Sequence, residues 1–387
     1  MKKEGTKHQK MREEEQMFLL CQAEGIGCMS MQKLIARFGS ADAVLGAPSG
    51  QWEEVLTKRQ CEVLAGLCKR GEAARRYLAF CQTGLMFVPF TSAAYPARLK
   101  VIPDPPKALY VKGALPQEEV PAVAVIGARM CSEYGRYMAR QFGAELAAAG
   151  LNVISGMALG VDSISQRAAL RAGGASYAVL GCGPDVCYPP ENADLYEELC
   201  RAGGILSEYL PGTQPQRQLF PPRNRIISGL ADAVLVVEAR RKSGTLITVD
   251  MALEQGREVF ALPGRATDRL SDGCNELIKQ GAMIATNAGD IIESFFDLNR
   301  RKENTDETEK FHGIPGAAGG PRFALKEQER EILDALDVIP KCVSDVETVL
   351  AARGRIYAPQ ELTCRLVEMA LKGLVEQEGS FFCLKMS

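Results

Sequence analysis

Between Val123 and Phe296 the chain repeats one pattern, a short continuous apolar run followed by a longer stretch with helical spacing. The runs are VAVIG (123–127), LNVIS (151–155), SYAVLG (176–181), GILSE (204–208), AVLVVE (233–238), REVFAL (257–262) and AMIAT (282–286). A strand that is apolar along its whole length needs cover on both faces, and a helical crossover between strands makes neighbours parallel. The pattern predicts an α/β fold, a Rossmann-like, doubly wound and mainly parallel sheet occupying about residues 91–298. In such sheets ligands gather where strands end and helices begin, so the residues just after each run are the ones to read for chemistry.

The flanks read differently. Residues 1–16 are charged and predict a disordered tail, and 17–90 are rich in Leu, Ala and Cys with helical spacing, predicting a small helical domain. Within it Gly25-Ile26-Gly27 precedes SMQKLIARFGS, similar to a SAM or helix-hairpin-helix module, although an ordinary helix turn reads the same way. Residues 299–322 carry mixed charge, then Gly and Pro, and read as a linker. From 323 to 387 a helical stripe, a second helix and a hairpin near Glu378-Gly379 are similar to a winged-helix domain. That segment holds eight Lys or Arg against eleven Asp or Glu, a net charge of −3. Its recognition-helix candidate offers Arg365 and Lys372 beside Glu361 and Glu368, so contact with protein is favoured over contact with DNA.

Composition excludes several chemistries. The two histidines fall at His8 in the tail and His312 in the linker, which removes Ser-His-Asp and Cys-His hydrolases and the zinc deaminases. Thirteen cysteines contain no Cys-x-x-Cys pair, so they read as small apolar side chains in a reduced, cytoplasmic protein, with no metal site expected. No signal-like or membrane-spanning apolar run is present in the sequence. With a net charge of −2, any phosphate recognition must rest on a local basic patch.

Such a patch exists. Residues 210–245 hold six cations, Arg217, Arg223, Arg225, Arg240, Arg241 and Lys242, against two carboxylates, a net +4. Inside it Phe220-Pro221-Pro222-Arg223-Asn224-Arg225 sets a ring beside cations and an amide, the combination that suits phosphates and unpaired bases. Taken alone, the same segment also fits a solvated surface run with Phe220 turned inward. Lys242-Ser243-Gly244-Thr245 follows the AVLVVE run and opens a helix, a second phosphate cradle. Two more small-residue loops end strands, Gly127-Ala128-Arg129 and Ser155-Gly156 through Asp162. None of these has the spacing of a dinucleotide or P-loop fingerprint, so no cofactor is expected.

Read in order, VIGARxxSxYG, SGMALGVD, AVLGCG with YPPEN, LSEYLPG, FPPRNRIISGLA, VVEARxKSGTLIT and GREVFALPG resemble the DNA-processing protein A (DprA, or Smf) family. The resemblance implies a single-stranded DNA-binding protein without covalent chemistry, a homodimer that loads the RecA recombinase during natural transformation. It also implies that Arg129, Arg217, Phe220, Arg223, Asn224, Arg225, Lys242 and Ser243 line the DNA site, to which the small-residue loops at the strand ends add Gly127, Ser155, Gly156 and Gly244. Arg129, Arg223, Arg225 and Lys242 are expected to contact phosphates and to contribute little to the fold. The sequence departs from the family at Gln166, where a histidine is usual. The alternative is a nucleotide phosphoribohydrolase, whose glycine-rich loop matches Lys242 to Thr245 in position; this sequence has Asp250 and Glu254 rather than the glutamate that chemistry wants three residues after the threonine, which ranks the alternative low.

Overall fold

The computed structural model describes residues 13–67 and 72–303, then 341–353, 375–378, 381–384 and isolated positions between 331 and 370. The chain divides into two compact units, Met1–Glu307 and Thr308–Ser387.

The first unit is built on a nine-stranded sheet in the order β1-β2-β6-β5-β4-β3-β7-β8-β9. The strands are β1 (Met86–Pro89), β2 (Ala108–Gly113), β3 (Ala122–Ile126), β4 (Asn152–Ser155), β5 (Ser176–Val179), β6 (Gly203–Ser207), β7 (Ala233–Val236), β8 (Glu258–Ala261) and β9 (Met283–Ile284). From β6 to β9 every neighbouring pair is parallel; β2 joins β6, and β1 joins β2, in antiparallel register. All seven apolar runs are strands. The chain enters the parallel region at β3, builds outward to β6, and returns to β7 on the other side of β3. The β3/β7 boundary is therefore the topological switch, where a crevice opens at the carboxyl ends.

The helices are α1 (13–21), α2 (Cys28–Phe38), α3 (Ala41–Gly46), α4 (Lys58–Leu67), α5 (Glu72–Cys81), α6 (Ala97–Lys100), α7 (Glu133–Ala148), α8 (Val161–Arg171), α9 (Ala193–Ala202), α10 (Phe220–Leu230), α11 (Gly244–Glu254), α12 (Asp272–Lys279) and α13 (Ala288–Glu303). Alternate residues of β3 divide between two cores. Ala122, Ala124 and Ile126 pack with Ile226 and Leu230 of α10 and Val249 of α11, while Val123 and Val125 pack with Phe142 and Leu146 of α7. Cover on both faces is why the strands read as unbroken apolar runs rather than as alternating ones.

Several boundaries differ from the sequence expectation. Residues 13–16 already belong to α1, and residues 1–12 of the expected tail lie outside the described residues. Strand β1 lies within the segment assigned to the helical domain, and that domain is not separate. Phe18, Tyr77 and Phe80 pack against Phe87 of β1 and Tyr110 of β2, with Phe18 5.0 Å from Phe80 and 5.3 Å from Phe87 between ring centroids. The Gly25-Ile26-Gly27 turn joins α1 to α2, with Gly25 in left-handed backbone (φ 70°) and its carbonyl accepting from Gln60 Nε2 at 2.8 Å. Helix α13 continues to Glu303, five residues into the expected linker, whose remainder lies outside the described residues.

In the second unit, strands Val375–Glu378 and Phe381–Leu384 form the expected hairpin, and Lys341–Cys342 adds a third strand that the sequence pattern did not disclose. Ile332, Val346, Leu350, Leu366 and Phe382 fill its core. Arg365 sits 6.0 Å from the Tyr357 ring centroid; Glu361, Glu368 and Lys372 lie outside the described residues. Among the described residues no helix is long and apolar enough to cross a membrane.

Candidate nucleic-acid interface

A groove of about 780 Å³ opens at the carboxyl edge of the sheet. Its walls are the turns after β3, β4, β5 and β7, the approach to α10, the N-terminal halves of α10 and α11, and Leu270 after β8. Of the residues expected there, Gly127, Arg129, Arg217, Phe220, Arg223, Asn224, Ser243 and Gly244 line it. Gly156 lines a smaller cavity of about 80 Å³ that adjoins the groove and shares Arg129, Phe220 and Arg223 with it. Ser155, Arg225 and Lys242 line neither cavity. Residues from four distant stretches converge because parallel strands present all their carboxyl ends on one side.

Phe220 opens α10, followed by Pro221 and Pro222, which cost nothing in a first turn whose N–H groups have no intrahelical acceptor. The ring is half-buried. The guanidinium groups of Arg129 and Arg223 each lie 5.9 Å from its centroid, and the Tyr188 ring lies 5.6 Å away, tilted by 35°. Tyr188 is 37% exposed and lines both cavities, a site residue that the sequence reading passed over. Its signal was the Tyr-Pro pair at the end of the long turn after β5.

The arginines fall into two groups. Arg129, Arg217 and Arg240 are exposed and line the groove, with guanidinium groups free to meet an anion. Arg223 is different: it is 5% exposed, and its Nη1 donates to the Gly156 carbonyl at 3.0 Å and to the Val179 carbonyl. Burial lowers its pKa to about 10, against the pull of the neighbouring Asp162 carboxylate. Asp162 is itself buried, accepts from the Gly156 N–H at 3.2 Å, and is pushed above the usual carboxylate range by burial, with Arg223 opposing the shift. The guanidinium fits against Gly156 because glycine has no side chain; a Cβ there would meet Nη1 and Nη2.

Arg225 is also built into the fold. Its Nη2 bonds Glu208 at 2.7 Å and its Nε bonds Asp104 at 3.0 Å, with the side chain 13% exposed. Burial alone would lower its pKa, but the two carboxylates outweigh it and raise the pKa. The expectation that Arg223 and Arg225 serve phosphates without supporting the fold is therefore corrected: their hydrogen bonds are spent inside the protein. Ser155 is fully buried and donates to the Val125 carbonyl at 2.7 Å, linking β4 to β3. Lys242 is exposed beside the groove rather than in it.

The Arg129 turn is held from both sides. Buried Glu238, two residues after β7, accepts from the Ser132 N–H at 2.9 Å and from Ser132 Oγ at 2.5 Å, and Ser132 caps α7 through the Gly135 N–H. On the other side Val161 N donates to the Ala128 carbonyl at 3.2 Å. An exposed cation on an anchored backbone is the arrangement that presents charge to a ligand at small entropic cost.

The family model for DNA recombination-mediator protein A matches residues 86–296, from the first strand of the sheet into α13. The chain belongs to this family. Protein Smf of Escherichia coli strain K12 is 40% identical over 345 residues, covering 88% of this chain and 87% of that one. DNA processing protein DprA of Streptococcus pneumoniae is 44% identical over 205 residues, 52% of this chain and 71% of its own. Its X-ray structure matches with a TM-score of 0.64 at 35% identity, over 70% of this chain and 95% of that one. The Helicobacter pylori DprA structure, described for its single-stranded DNA binding mode, matches with a TM-score of 0.50 at 32% identity, over 55% of this chain and 97% of that one. Family membership accounts for the sheet and its edge turns together, since the matched segment contains every residue that lines the groove.

Proposed function

We propose that the groove binds single-stranded DNA in preference to duplex and without strong sequence preference. The observation that carries the reading is Phe220 in the groove wall, with Tyr188 beside it and the unpaired Arg129, Arg217 and Arg240 around it. A ring platform takes an unpaired base of any identity, and flanking arginines take the backbone. The Helicobacter pylori relative, described as binding single-stranded DNA, supports the same ligand. No covalent step belongs to the proposal. Asp250 and Glu254 do not line the groove, and Asp162, which does, is committed to the Gly156 N–H beside Arg223.

Tyr188→Ala should weaken binding of an unstructured oligonucleotide by about 1 kcal/mol, with the slope of log K against log salt unchanged, since a ring carries no charge. Fluorescence anisotropy over a salt series reads both quantities; an unaltered affinity would remove Tyr188 from the interface.

The second unit is proposed as a winged-helix-like module for contact with protein, on the strength of the −3 charge of its residues 323–387. Removing residues 308–387 should leave single-strand affinity within about twofold, because the exposed arginines of the groove all lie in the first unit. Loss of affinity in a truncated protein that remains folded would move the DNA site to the second unit.

From family membership we further propose a cytoplasmic homodimer that loads RecA during natural transformation. Light scattering tests the dimer, and RecA filament assembly on protein-coated DNA tests the loading. A monomer at micromolar concentration, or unaltered filament growth, would overturn each in turn.

A further inference from the structure

Met157, immediately after β4, is the one non-glycine residue with positive φ (54°) among the described residues. An L side chain disfavours this left-handed conformation, so the surroundings must hold it. Two buried amides do so. Gln166, on α8 and fully buried, accepts from the Met157 N–H at 3.1 Å through Oε1. Asn192 Nδ2 donates to the Met157 carbonyl at 2.9 Å. The orientation of the Gln166 amide is itself determined, since Nε2 donates to the Tyr177 carbonyl at 3.0 Å and to Ser176 Oγ at 3.3 Å, while Ser176 Oγ donates onward to the Val153 carbonyl at 2.8 Å.

The turn held in this way touches both halves of the groove. Gly156, one residue before Met157, gives its carbonyl to Arg223. Gly160, three residues after, has φ 81° and packs against the Ala128 and Arg129 carbonyls so closely that no Cβ fits. A change in the Met157 turn would therefore shift Arg223 and the Arg129 backbone together.

We propose that Gln166 is a positioning residue for the single-stranded DNA groove, holding the left-handed turn at Met157 through an amide whose oxygen accepts from Met157 and whose nitrogen donates to Tyr177 and Ser176 at every physiological pH. The inference rests on the single-strand reading of that groove. A neutral imidazole could supply the acceptor and one of the two donors; an imidazolium has two donors and no acceptor for the Met157 N–H. The ionisable groups around the turn are Asp162 on α8, Tyr177 on β5, Cys182 after it, Tyr196 on α9, Arg223 on α10, and the Arg167–Asp194 pair beside Asn192. All of them are shared by the parent and its variants, so the ratio of variant to parent affinity isolates position 166.

The experiment measures oligonucleotide affinity of the full chain, Gln166→His and Gln166→Leu from pH 8 to pH 4.5 at constant ionic strength, with amide exchange at Met157 followed in the same samples. Gln166→His should bind within about twofold of the parent at pH 8 and fall at least about tenfold behind it as its imidazole protonates, at a pH that burial places below the free value near 6.5. Met157 protection should be lost over the same interval. Gln166→Leu should be weaker by at least about tenfold throughout. If the leucine variant does not fold, the histidine variant, folded at pH 8, carries the test. A His-to-parent ratio that stays flat, or a loss of Met157 protection without a loss of affinity, would overturn the positioning role. A parent that fails to bind single strands overturns the reading beneath it instead, so the two failures are distinguishable.

Discussion

Arg223→Ala is expected to lower the free energy of unfolding by about 2–5 kcal/mol, since each of two buried carbonyls left without its donor costs about 1–3 kcal/mol. The side chain is 5% exposed, and its loss strips donors from the Gly156 and Val179 carbonyls and the cation from buried Asp162. A water-filled cavity would return part of this, which argues for the lower end of the range. Arg223→Lys should be nearly as costly, because an ammonium on a flexible stem does not reproduce a planar guanidinium that bonds two carbonyls and stacks on Phe220. Arg129→Ala, removing an exposed cation, should change stability by no more than about 0.5 kcal/mol. Urea unfolding of the three variants makes the comparison. Equal stability of Arg223→Ala and Arg129→Ala would show that Arg223 is a ligand contact after all.

The second large effect is on binding. Phe220→Ala should weaken single-strand affinity by about 1–3 kcal/mol, roughly five- to 150-fold, the span measured for removal of a base-stacking ring. The salt dependence should stay as it is. Arg129→Ala should instead flatten the slope of log K against log salt by about 0.7, one phosphate contact on a single strand. A ring and a cation 5.9 Å apart are thus separable by experiment although they share one wall. If Phe220→Ala altered the slope, or Arg129→Ala left it unaltered, the division of labour between them would be wrong.

The parallel sheet was legible because its strands lie between two layers of helices, so burial wrote them as continuous apolar runs. Strands β1 and β2 escaped the same reading for a physical reason. MFVP ends in proline, and β2, although Ala108 to Val111 are buried on both faces, pairs with β1 and β6 in antiparallel register and is reached from β1 through only the four-residue α6, so no long helical stretch marks it off as a βαβ unit. At the site, charge counting found the basic stretch but could not sort it. Arg225 meets Asp104, 121 residues away in sequence, and Arg223 meets a carbonyl at position 156, so which cations remain for a ligand is decided by tertiary contacts that spacing does not encode. Tyr188 is likewise brought to Phe220 from 32 positions upstream by the return of the chain after β5.

The most direct test of the central claim is a competition between an unstructured oligonucleotide and its blunt duplex for the full chain, at matched ionic strength, with Phe220→Ala measured beside it. The parent should prefer the single strand by at least about tenfold, and most of this preference should disappear in Phe220→Ala, since only an unpaired base can stack on the ring. Equal affinity for the two forms, or a preference that survives the loss of Phe220, would contradict it.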